Sequence, residues 1–176
     1  MNLHIVPDSK YTNTFCANLS ELGILQNNKV IVRSNKKPTY LAPELPWAPL
    51  YSSRFRRLVG DTATYDAVFI HLFSPLMYRW VAGNTFKELN WMVWGADLYN
   101  LPFIRQNFYE AITRKHLSKS NSVNEWLYLL KVWVTNMPYK NKAYSKVDHV
   151  LTWMESEHTF ARTHLSTLHA EQKFFF

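Results

Sequence analysis

The run Ala67-Val68-Phe69-Ile70-His71-Leu72 is apolar along its whole length, with His71 as its one polar member and no alternation of apolar and polar positions. A strand with one wet face alternates, whereas a strand buried on both faces reads as a continuous run. This run therefore predicts a central strand of a parallel sheet. Ser74-Pro75 follows at once, with an N-cap residue and a Pro at the first helical position, so the strand leads into a helix ending near Val81 at Gly83-Asn84. A parallel strand needs such a crossover to return to the sheet.

The same strand-then-helix unit recurs along the chain. Leu3–Val6 reads as a first strand, and Tyr11–Leu22 as a helix with Phe15, Leu19 and Leu22 on one face and Gly23 to stop it. Lys29–Arg33 is a second strand. Asn35–Pro49 holds four prolines and reads as a loop, and Tyr51–Leu58 as a short basic helix. Leu89–Trp94 is a further strand, followed by a helix over Leu101–Lys115. Ser122-Val123-Asn124-Glu125 has capping-box spacing and opens a helix to Thr135, with Val123, Trp126, Leu127, Leu130 and Trp133 in one stripe. Val147–Trp153 is a strand, Glu155–Leu165 a helix and Lys173–Phe176 a last strand. Strands alternating with helices predict an α/β fold with a doubly wound, Rossmann-like parallel sheet.

With 176 residues and 47 % hydrophobic content, the chain is expected to be a single globular domain. It ends on Phe174-Phe175-Phe176, an apolar strand without a closing helix, which leads us to expect a missing C-terminal part. No apolar run reaches the roughly 18 residues of a membrane span. The N-terminus lacks the basic and apolar regions of a signal peptide, and the single Cys16, read as a core residue, excludes an internal disulfide framework; a cytoplasmic location is expected. The net charge of +7 favours an anionic partner. It is concentrated between Arg105 and Lys146, where eight basic residues face only Glu110 and Glu125.

In a parallel sheet all strands end at the same edge, where open α/β proteins bind ligands. Asp8-Ser9-Lys10, His71 with Ser74, Trp94-Gly95-Ala96-Asp97-Leu98-Tyr99, and Glu155 all fall at or just after such ends. Asp97 is the most demanding of these: a carboxylate is costly to bury unpaired and is depleted in strands. It either caps the next helix or handles a substrate proton. Asp8, Ser74 and Glu155 also suit helix caps or first-turn acids, and His71 a hydrogen-bonded core position.

Other chemistries fail on spacing. The turn Pro7-Asp8-Ser9-Lys10-Tyr11 has no Gly, so neither a dinucleotide fingerprint nor a P-loop is present. His158 and His164 are six apart and do not share a helix face, which argues against a helical zinc pair.

The segments Val68-Phe69-Ile70-His71 and Trp91-Met92-Val93-Trp94-Gly95-Ala96-Asp97-Leu98-Tyr99, with Leu3-His4-Ile5-Val6-Pro7-Asp8-Ser9 and Val150-Leu151-Thr152, resemble the 4-acetamido-4,6-dideoxygalactose transferase family (glycosyltransferase family 56) of enterobacterial common antigen synthesis. The resemblance implies the N-terminal, acceptor-side half of a two-domain GT-B glycosyltransferase. It spans residues 1–176, with a helical insertion at about residues 115–143 and the C-terminal donor-binding domain absent.

It further implies inverting transfer of an amino-deoxy sugar from a dTDP-sugar donor to a polyprenyl-diphosphate-linked acceptor, at the inner-membrane surface. No cofactor, metal or nucleic acid is implied. Inversion needs one base for the acceptor hydroxyl. Asp97 is the first candidate and His71 the second. Tyr99 and Ser74 would orient sugar hydroxyls, and Lys10 would offset the diphosphate. Asp8, Ser9, Trp94, Gly95 and Glu155 complete the expected substrate rim.

Two readings stay open from the residues alone. The chain fits a non-catalytic basic α/β module for nucleic acid or a protein partner. The Ser122–Thr135 helix fits either a sheet-packed helix or one lying on an anionic bilayer. Arg54-Phe55-Arg56-Arg57 reads as a solvated basic patch.

Overall fold

The computed structural model describes residues 1–40, 45–99 and 123–174. Its centre is one seven-stranded sheet in the order β3-β2-β1-β4-β5-β6-β7, parallel at every pairing. The strands are β1 Asn2–Pro7, β2 Asn28–Arg33, β3 Trp47–Ala48, β4 Val68–His71, β5 Leu89–Met92, β6 His149–Thr152 and β7 Glu171–Phe174. The helices are α1 Lys10–Glu21, α2 Ser53–Val59, α3 Tyr78–Gly83, α4 Ala96–Tyr99, α5 Val123–Asn136, α6 Lys140–Tyr144 and α7 Glu155–His164. The fold is the expected doubly wound, Rossmann-like α/β sheet. Strand order reverses between β1 and β4, which makes that junction the topological switch point.

Alternation along each strand sorts the two faces. Leu3 and Ile5 of β1, Val68 and Ile70 of β4, and Leu89 and Trp91 of β5 enter a large core with Phe55, Tyr78, Val81, Tyr144 and Ala161 from α2, α3, α6 and α7. Val6, Val30 and Val32 point the other way and pack on Leu19, Phe15 and Cys16 of α1. Trp91 is fully buried, with its ring 5.8 Å from Phe73 and 5.7 Å from Tyr144. These aromatic contacts tie the middle of β5 to the α3–α6 layer, and so fix where the strand's carboxyl end emerges.

Three local expectations need correction. β3 lies inside the proline-rich segment read as a loop: the Val32 amide donates to the Pro46 carbonyl and the Ser34 amide to that of Ala48, adding an edge strand of two residues. Prolines are tolerated at an edge because one side of that strand needs no donors. β7 begins two residues earlier than expected, at Glu171, since its register is set by pairing His149 with Glu171. Finally, the segment after Ser74 is a 3₁₀ turn over Pro75–Met77 before α3, and Ser74 makes no side-chain cap bond. The expected helix Leu101–Lys115 and the cap residue Ser122 lie outside the described residues.

Candidate functional site

At the carboxyl edge, a groove of about 490 Å³ opens between α1 and the ends of β5 and β6. Tyr11, Thr14, Phe15 and Asn18 form one wall, at the spacing that puts four residues on one helix face. Met92, Val93, Trp94 and Gly95 form the floor, and Trp153 with Glu157 closes the far side. Tyr11 meets Trp94 edge-on at 6.1 Å, and Trp153 is largely exposed. The lining is mostly apolar and aromatic with a few polar groups, the make-up of a small-molecule site.

Asp97 sits behind this floor and does not line it. Its carboxylate is 4 % exposed and takes three hydrogen bonds. Oδ2 accepts from the Trp91 indole at 2.6 Å and from the Phe73 amide at 3.1 Å, while Oδ1 accepts from the Trp94 amide at 3.0 Å. Burial pushes the carboxyl above the usual carboxylate range, and the three donors oppose that shift. The residue thus joins the turn after β4 to the turn after β5. Gly95, at φ 78, supplies the left-handed backbone that lets the chain fold back for this contact.

His71 is also interior, with no exposed surface. Its Nε2 lies 3.1 Å from Nδ1 of His4, and Nε2 of His4 lies 3.0 Å from Oδ1 of Asn28. The direction of this chain can be worked out. Asn28 Nδ2 donates to the Ile24 carbonyl, so Oδ1 must accept from His4 Nε2. His4 Nδ1 then carries a lone pair, and His71 Nε2 donates to it. That leaves the lone pair of His71 on Nδ1, a buried atom with no hydrogen-bond partner among the described residues. Burial lowers both rings: His4 falls to about 4, and His71 goes well below its usual value with the charges of His4 and Arg33 adding to the effect. Both are neutral near pH 7. The His71 ring stands edge-on to Trp94 at 5.6 Å and to Phe15 at 4.6 Å, so the pair backs the groove wall.

The end of β4 carries backbone strain. Leu72 adopts φ 62, uncommon for a residue with a branched side chain, and Arg33 Nη2 donates to its carbonyl at 2.8 Å. The guanidinium thereby reaches from β2 to β4 across the end of β1, at the switch point. Ser74 Oγ, nearby in sequence, is buried without a hydrogen-bond partner among the described residues.

The other expected rim residues divide between local structure and the surface. Asp8 accepts from the Thr39 and Tyr40 amides and organises the β2–β3 connection. Ser9 caps α1 by accepting from the Tyr11 amide, and Lys10 lies over the Tyr11 ring. Glu155 is exposed and borders a shallow groove along α7 with Thr159 and Thr163. Tyr99 belongs to α4. The groove therefore gathers only Trp94 and Gly95 from the expected set. Sequence reasoning missed Trp153, Arg33 and Glu157. Glu157 had a signal: Glu157, Ala161 and Leu165 fall at i, i+4, i+8, and all three are buried.

Among the described residues, no group of three His, Cys, Asp or Glu side chains is placed to hold a metal ion, and no helix is long and apolar enough to cross a membrane. Compared with known proteins, the chain matches no family model, no curated protein and no solved structure.

Proposed function

We propose that this chain is the acceptor-side domain of an inverting glycosyltransferase, acting on a polyprenyl-diphosphate-linked saccharide with a dTDP-amino-deoxy sugar as donor. The observation that carries this reading is the groove at the carboxyl edge, floored by Trp94 and walled by Tyr11 and Trp153, with the mostly buried Glu157 in its lining. A sugar ring has a patch of polarised C–H bonds that suits the electron-rich face of an indole, and a belt of hydroxyls that needs polar partners. Asn18, Thr14 and Glu157 offer those partners on the same groove. The resemblance around Trp94–Tyr99 supports the same reading, because that motif forms the groove floor and its underside.

Within this proposal the roles of the carboxylates change. Asp97 is spent on three internal donors and acts as a positioning residue for Trp94. Glu157 is the carboxylate that lines the groove, so it is the base for the acceptor hydroxyl as the nucleotide diphosphate departs. His71 supports the wall from behind.

Titration with a short-chain prenyl-diphosphate N-acetylamino sugar, followed by tryptophan fluorescence, tests the reading. Saturable quenching is expected, and Trp153→Ala should weaken it by about tenfold or more. In a transfer assay with a dTDP-amino sugar, run on a protein that also carries the donor-binding domain, Glu157→Gln should lower kcat by about 100-fold or more while binding is largely kept. Absence of saturable binding, or full turnover by Glu157→Gln, rejects the assignment.

A further inference from the structure

The second helix layer carries a surface that the groove does not explain. On α5, Leu127, Leu130, Trp133 and Val134 are between 43 % and 60 % exposed. Their spacing places them in one stripe about 120° wide on the helix. The opposite side is anchored. Asn136 is buried, its Oδ1 lies 3.1 Å from the Tyr51 hydroxyl, and the helix packs on the Pro75–Met77 turn and α3. The apolar stripe is thus a fixed outward face of a docked helix.

From this arrangement we propose that the exposed stripe of α5 is a membrane-docking surface for anionic bilayers. Charge complementarity selects the occupant. Between residues 123 and 146 the chain has Lys131, Lys140, Lys142 and Lys146 against Glu125 alone. Lys131 is exposed beside the stripe and Lys142 is exposed on α6, and Tyr139, also exposed, adds a second interfacial aromatic to Trp133. Aliphatic side chains in the acyl boundary, aromatics at headgroup depth and lysines reaching the phosphates are the requirements of an interfacial helix. Each such lysine contributes attraction that only an anionic leaflet rewards. A second copy of the chain fits less well: four part-exposed side chains on one helix fall short of the roughly 800 Å² per partner that a stable dimer buries, and lysines are depleted at such interfaces.

The docked face adjoins the Pro75–Met77 turn, which follows β4 at the carboxyl edge. The proposal does not depend on the groove taking a sugar, and its test reads no activity.

Co-sedimentation with vesicles of phosphatidylcholine, alone or mixed with phosphatidylglycerol, measures it. The protein should pellet with the mixed vesicles, pellet less with the neutral ones, and be released as salt rises. Leu130→Ser combined with Trp133→Ser should cut partitioning by about tenfold or more. Lys131→Glu should weaken binding to the mixed vesicles alone. All three positions are exposed, so thermal unfolding should be unchanged and a lost fold is ruled out as the cause. Equal pelleting of the double variant and the parent overturns the proposal. So does a protein that ignores both vesicles but sediments as a dimer that the double variant converts to a monomer.

Discussion

The indole nitrogen of Trp91 donates to Oδ2 of Asp97 at 2.6 Å, deep in the core, and this bond joins the middle of β5 to the turn that follows the same strand. The Phe73 and Trp94 amides complete the carboxylate's shell. Asp97 therefore holds the floor of the groove in place, and its removal strands two buried donors and the half-buried Trp94 amide.

Asp97→Ala should destabilise the fold by about 3–5 kcal/mol, because an unsatisfied buried donor costs about 1–3 kcal/mol each and the lost partner is charged. Asp97→Asn keeps one acceptor oxygen but turns an amide donor toward a backbone N–H, so about 1–2 kcal/mol is expected. Urea unfolding midpoints measure both. An alanine variant as stable as the parent would contradict the structural role and return Asp97 to the list of proton-handling groups.

Leu72 makes a second, independent prediction. At φ 62 a β-branched side chain clashes with its own backbone, and the Arg33 contact to the Leu72 carbonyl prevents easy relaxation. Leu72→Val should cost about 1–3 kcal/mol, and Leu72→Asn, a residue that tolerates this region, clearly less. If calorimetry ranks the two variants in the opposite order, side-chain packing rather than backbone strain governs the position.

The sheet was legible because β1, β4 and β5 are near-continuous apolar runs, and burial on both faces leaves no other reading for them. β3 was not legible, since two residues between prolines carry no periodicity and are fixed only by pairing with β2. Strand ends locate the carboxyl edge, so Trp94 and Gly95 were found in the groove. Whether a polar residue at that edge turns inward depends on partners distant in sequence. Asp97 turns toward the Trp91 indole and His71 toward His4, and both indole and imidazole look like ordinary core residues in a linear reading. Glu155 and Glu157 are both first-turn acids of α7, but only Glu157 shares the buried stripe of Ala161 and Leu165.

Gly60 tests a backbone argument free of packing. It follows α2 at φ 70 and ψ −150, a region nearly closed to residues with a Cβ, and an added methyl would meet nothing within 4 Å. Gly60→Ala should therefore destabilise by about 1–3 kcal/mol through backbone strain alone. Thermal unfolding of Gly60→Ala beside Gly83→Ala is the control, since Gly83 has equal space and no positive φ. Equal effects at the two sites would remove the conformational explanation.

The His4–His71 pair predicts how stability depends on pH. Both rings are held neutral in the folded chain, His4 down to about 4 and His71 well below its ordinary value, whereas in the unfolded chain each titrates near 6.5. Between those limits the unfolded state binds more protons, so stability rises with pH there. The contribution is fully present above about pH 6.5 and is lost as pH falls toward 4. For His4 alone it is on the order of 3 kcal/mol. Asp97 acts in the opposite sense: its folded value is raised, so it favours the fold at low pH and the gain disappears as pH rises through that raised value. His4→Phe isolates their share. A phenyl ring keeps the stack on Phe69, and Asn28 Oδ1 keeps its bond from Asn2 Nδ2. This variant should lose stability near pH 7 but show a visibly flatter decline between pH 6.5 and 4 in urea titrations. An unchanged slope would place the acid sensitivity elsewhere in the chain and leave the histidine pair with a packing role only.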